Sequence, residues 1–216
     1  MDSTSAAALT SWTIDPFAVA LLLAIAAVYV RGWLRVRRLV HGEHDQERLV
    51  AFLAGLSLLF IATESPLDAF DHIFLAAHMT QHLLLMMLVP PLILFGHPTV
   101  PLLRGLPKPF VKEGLGPFLA CPALRRVMRF LVAPPVAFLL FAFSTIFWHL
   151  PFAYEAALRS TALHGLQHAS FFWTGILFWW PIIRPLPGKS AWPEWMNIPY
   201  LLAADLVNTG LSAVFV

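Results

Sequence analysis

Residues 73–96 read IFLAAHMTQHLLLMMLVPPLILFG, without a single Asp, Glu, Lys or Arg. A helix of that length exceeds the roughly 30 Å thickness of a bilayer's hydrocarbon core. The apolar run is too continuous for a barrel strand, which alternates over about 10 residues. Its polar exceptions sit at one end, in HMTQH, residues 78–82. A second stretch, LHGLQHASFFWTGILFWWPII at residues 163–183, opens in the same way. The pattern His-x-x-Gln-His therefore occurs twice, each time at the mouth of an apolar run.

The rest of the chain has the same character. Of 216 residues, 59% are hydrophobic and only 12% are charged, against about 25% charged in soluble domains. Six runs are long enough to span a membrane: 17–34, 49–67, 73–96, 130–150, 163–183 and 198–216. The second is weakened by Glu64 and Pro66. The expected fold is all-α, a polytopic membrane helix bundle forming one transmembrane domain over 1–216. Residues 97–129 form a proline-rich basic loop with room for an interfacial segment. Residues 1–15 hold Asp2 and Asp15 and no Lys or Arg, so a basic secretory leader is missing and the first run reads as a retained span. The single cysteine, Cys121, lies in the long loop and has no internal disulfide partner.

Charge placement sets an expected orientation. Arg31, Arg35, Arg37, Arg38 and Arg48 follow the first run. Arg104, Lys108, Lys112, Arg125, Arg126 and Arg129 follow the third, and Arg184 and Lys189 the fifth. Only Arg159 falls on the other side. The positive-inside rule then places these loops in the cytoplasm and the N-terminus outside. Glu64, Asp68, Asp71 and Glu155 make the outer connections acidic. Those short connections are expected to pack over the outer face. Trp148, Trp173, Trp179 and Trp180 read as interface-belt aromatics.

In this orientation both pentads lie in the outer leaflet. Positions i and i+4 share a helix face, so His78 pairs with His82 and His164 with His168. Polar side chains are costly against lipid and should face the bundle interior. Neutral imidazole ligates copper, zinc and iron, and thioether sulphur suits cuprous ion. The candidate metal ligands are thus His78, His82, His164, His168 and Met79, expected to converge if their spans are neighbours. Gln81 and Gln167 would orient the rings. Met86, seven residues after Met79, would share its face, although it and Met87 read more readily as packing. His72, His149 and Asp205 are further possible ligands, Asp205 lying three residues from Asn208 inside the last span.

HMTQHLLLMMLVPPLILFG and WHLPFAYEAALRSTALHGLQHASFFWTGILFWWPII resemble the signature blocks of the multi-span CtaG-type cytochrome c oxidase assembly factors. The resemblance covers most of residues 45–205. It implies about seven spans, where six are read here. It also implies a bacterial plasma (inner) membrane, multi-pass location and oxidase subunits as partners. The function implied is assembly of a haem–copper oxidase, with copper handled or delivered at the outer face.

No catalytic residues are assigned: no nucleophile–base pair, phosphate-binding glycine loop or nucleotide signature occurs. Membrane lipids are expected partners and nucleic acid is not. Two other functions use the same histidines. A membrane cytochrome would bind haem between one His from each of two helices. A membrane di-iron oxygenase would use the His-x-x-x-His pairs, but on the cytoplasmic side.

Overall fold

The computed structural model describes residues 12, 14–38, 45–67, 74–186 and 192–214, apart from the side chains of 212 and 214. Every regular element among them is helical. The chain divides into two compact units, residues 1–119 and 120–216.

The first unit is built on α1 (Pro16–Arg37), α2 (Asp45–Glu64) and α3 (Leu75–Phe95). Asp15 caps α1 by accepting from the Phe17 amide at 2.9 Å, with proline in the first turn, where its missing N–H costs nothing. Arg35 and Arg37 occupy the last turn, complementing the dipole. Tyr29 stacks on Phe52 with ring centroids 3.8 Å apart, and its hydroxyl donates to the Gly96 carbonyl at 2.7 Å. Both side chains are buried.

The segment 97–129 is not a loop but a series of short helices. The first, α4 (Thr99–Gly105), lies against α1. Any Cβ at Gly32 would collide with the Pro101 carbonyl, and any at Gly105 with that of Val28. The two glycines bring the backbones closer than side chains permit, which only glycine allows. A π-helical turn (Phe110–Leu115) then leads into α5 (Gly116–Ala120).

The second unit opens with α6 (Pro122–Leu131), bent 66° from α7 (Pro134–His149). Pro134 and Pro135 explain the break. Proline pushes the preceding residue out of helical geometry, and Ala133 is extended. The expected outer connection folds as α8 (Pro151–Arg159), packed on α9 (Thr161–Ile183). Beyond a 3₁₀ turn, Glu194–Met196, runs α10 (Asn197–Val214). Phe178 stacks between Phe141 of α7 and Tyr200 of α10, at centroid distances of 4.4 and 4.7 Å.

Helices thus form at all six expected places. Among the described residues three helices, α1 to α3, have both the length and the apolar composition to cross a membrane, or four if the bent α6–α7 pair is one span.

Candidate functional site

The first pentad lies on α3. His78, Gln81 and His82 are all buried, at 2%, 0% and 4% exposure. The two imidazoles stand one turn apart with centroids 4.1 Å apart and planes at 61°. Met79, beside them, is half-buried. The Gln81 amide reaches across to α2, donating to the Ala62 carbonyl at 2.7 Å. Ala62 lies in the last turn of α2, where carbonyls run out of helical donors. The residue four further on is Pro66, which has no N–H. Gln81 supplies the donor that the backbone lacks.

Immediately after the pentad, α3 adopts a π-helical turn over Leu84–Leu88, the Val89 amide donating to the Leu84 carbonyl five residues back. Pro90 and Pro91 lack the N–H groups that would serve Met86 and Met87, so the ladder slips there. Met86 lies within this turn, four residues after His82. It is buried in packing.

The second pentad lies on α9, within the second unit. Ser160 caps the helix by accepting from the Leu163 amide at 3.4 Å. His164 and His168 have ring centroids 4.2 Å apart at 64°, nearly the geometry of the first pair. Their Nε2 atoms are 2.9 Å apart, a hydrogen bond in which one ring donates and the other accepts. Both rings are half-buried. Gln167 is fully buried, and neither atom of its carboxamide has a hydrogen-bond partner among the described residues. That is a costly arrangement for an amide.

Around Gln167 the sequence reading missed a polar junction. Ser170 Oγ donates to the Gln167 carbonyl at 2.7 Å and accepts from Trp148 Nε1 at 2.6 Å, while Ser144 Oγ lies at 3.3 Å. Trp148 is therefore not a belt aromatic; it is buried and joins α7 to α9. Trp173 is exposed, as a belt residue would be. The i, i+4 spacing of Ser144 and Trp148 puts them on one face of α7, but nothing in that spacing names Ser170 of α9 as their partner.

The other candidates are scattered more widely. His149 Nδ1 lies 2.7 Å from the Thr145 carbonyl, which can only accept, so Nδ1 carries the proton. Its ring is 6.3 Å from Phe171 of α9. Asp205 is exposed on α10 and Asn208 half-buried. His72 lies outside the described residues, as do Asp68, Asp71 and Lys189. No group of three or more His, Cys, Asp or Glu side chains able to hold a metal occurs among the described residues. Glu64, expected as an interruption of the second span and part of an acidic outer connection, ends α2. It is buried, and its carboxylate accepts from the Asp15 amide at 2.6 Å.

Comparison with known proteins gives these pentads a context. Residues 27–216 match the family described as cytochrome c oxidase caa3 assembly factor (Caa3_CtaG). The chain belongs to that family. It is also similar to an uncharacterized protein of Mycobacterium leprae, 29% identical over 90% of this chain. Uncharacterized proteins of Mycobacterium bovis and Mycobacterium tuberculosis are each 30% identical over 93% of it. In each case the match covers 30% of the relative's length, so the chain corresponds to under a third of those proteins. No solved structure matches.

Proposed function

We propose that this member of the caa3 assembly family is a non-catalytic factor that handles copper for a haem–copper oxidase. Its imidazole pairs are His78 with His82, assisted by Met79, and His164 with His168. The proposal takes the chain as a multi-pass protein of the bacterial plasma membrane, with six spans and the N-terminus outside. Its partners are the oxidase subunits that receive the metal.

One observation carries the reading: the same two-imidazole geometry is built twice, each time beside a fully buried glutamine. Metal–imidazole bonds are about 2.0 Å, so two nitrogens sharing an ion stand roughly 3.3 Å apart at a tetrahedral angle and 4 Å apart in line. The Nε2 atoms of His164 and His168, at 2.9 Å, need to open by about 0.4 Å for a tetrahedral site and about 1.1 Å for a linear one. Both rings must then hold their proton on Nδ1, leaving both Nε2 lone pairs for the ion. Two neutral nitrogens suit cuprous ion better than a hard cation, and at the first pair Met79 adds a thioether. A two-ligand seat also suits an ion that is passed on rather than kept.

The test is copper retention by the full chain, purified in detergent after loading with cuprous ion under reducing conditions. His82→Ala and His168→Ala are each expected to halve retention, and the double variant to abolish it, with insertion into the membrane unchanged. Oxidase activity should fall in parallel in cells that rely on the variant. Full copper retention by the double variant would sink the proposal. A Soret band in the purified protein would favour haem instead.

A further inference from the structure

Away from the pentads, the first unit contains a groove of about 670 Å³ where the last turn of α1 meets α4 and the π turn that follows it. Arg35, Arg38, Arg104, Lys108 and Lys112 line it, and among the described residues no Asp or Glu does. The remaining lining is apolar: Leu103, Leu106 and Val111. A smaller hollow of about 470 Å³ on α1 shares Arg35 and Arg38 and adds Arg31.

A topological role alone does not account for this. The positive-inside rule asks only that cations lie in a flanking segment; it does not gather five of them around one concavity. Arg35 is held in place, its Nη1 donating to the Arg104 carbonyl at 2.6 Å. That carbonyl belongs to the last turn of α4, which lacks helical donors. The close crossing at Gly32 and Gly105 brings the basic ends of α1 and α4 together. Like charges so arranged repel unless an anion lies among them. Among the described residues no carboxylate lines the groove, so an anion from outside the chain would complete it. Because α1 is long and apolar enough to cross a membrane, its basic end falls at headgroup level. An anionic group attached to an apolar chain matches both halves of the lining.

We propose that this groove binds an anionic phospholipid, its phosphate among Arg35, Arg38, Arg104, Lys108 and Lys112 and its acyl chains along Leu103, Leu106 and Val111. The site is independent of copper handling and stands or falls separately.

The experiment is native mass spectrometry of the full chain in non-ionic detergent, with phosphatidylglycerol, phosphatidylcholine or inorganic phosphate added. Phosphatidylglycerol should be retained in preference to phosphatidylcholine, and millimolar inorganic phosphate should not displace it. Basic residues near an anionic surface are each worth about a fivefold change in binding. Neutralising three together, Arg104→Gln, Lys108→Gln and Lys112→Gln, should therefore weaken retention about a hundredfold. Removing the same charge from α6, by Arg125→Gln, Arg126→Gln and Arg129→Gln, should leave it intact. The charge-keeping set Arg104→Lys, Lys108→Arg and Lys112→Arg should also retain lipid, which guards against misfolding of the neutral protein. Equal losses in the groove and α6 variants would overturn the proposal. So would equal retention of the two lipids, displacement by phosphate, or loss in the charge-keeping protein.

Discussion

Replacing Gln81 with Leu removes the side-chain donor that meets the Ala62 carbonyl and puts an apolar side chain of similar bulk in its place. Both residues are fully buried, so water does not replace the donor. Leaving a buried carbonyl unsatisfied costs about 1–3 kcal/mol. Interhelical hydrogen bonds inside membranes average nearer 0.6 kcal/mol and reach about 1.7, because the separated helices find other partners. Here the alternatives are few, since Pro66 stands where a backbone N–H would otherwise serve. The expected loss is about 1–2 kcal/mol. For a chain of this size each kcal/mol moves the unfolding midpoint by about 2–4 °C. Circular dichroism of the detergent-solubilised chain, heated at a fixed rate, should show a midpoint about 2–8 °C lower. Pro66→Ala adds a backbone N–H near the same carbonyl, so Gln81→Leu should cost less in that background. Native-like unfolding of Gln81→Leu would refute the assignment of Gln81 as the tie between α3 and α2.

Gly105→Val places a side chain against the Val28 carbonyl, and should destabilise by about 1–3 kcal/mol as α4 is forced off α1; the same thermal scan measures it, and phosphatidylglycerol retention should fall with it. Trp148→Phe deletes the 2.6 Å bond to Ser170, but Ser170 keeps its bond to the Gln167 carbonyl. The loss should stay near 1 kcal/mol, a shift of about 2–4 °C, and a change beyond twice that would show the junction does more than tie two helices. Cys121 is exposed at the start of α6, where the amides of Leu124 and then Ala123 hold its pKa below the ordinary thiol value. A lowered pKa means more thiolate at a given pH, so the rate of alkylation by iodoacetamide should rise at lower pH in the folded chain than in the chain unfolded by detergent and urea. Coincident profiles would refute this. Copper retention should weaken on acidification, because a protonated imidazole has no lone pair for the metal.

Much of the local structure follows from the sequence alone. The apolar runs place six helices within a few residues of their ends. The i, i+4 spacing brings His78 to His82 and His164 to His168, since a helix leaves those side chains no other nearest neighbour on that face. The proline pairs at 90–91 and 134–135 foretell irregular backbone, as any residue without an N–H must. What tertiary packing decided was the use of the polar residues between these landmarks. Gln81 is bound to α2 because Pro66, fifteen residues away, leaves a carbonyl open there. Trp148 is inside rather than at the interface because Ser170 of α9 offers it an acceptor. The start of the basic segment after α3 lies directly against α1 because Gly32 and Gly105 leave room for α4 there. Each outcome depends on a donor, acceptor or gap supplied by a different helix, and no periodicity within one helix encodes it.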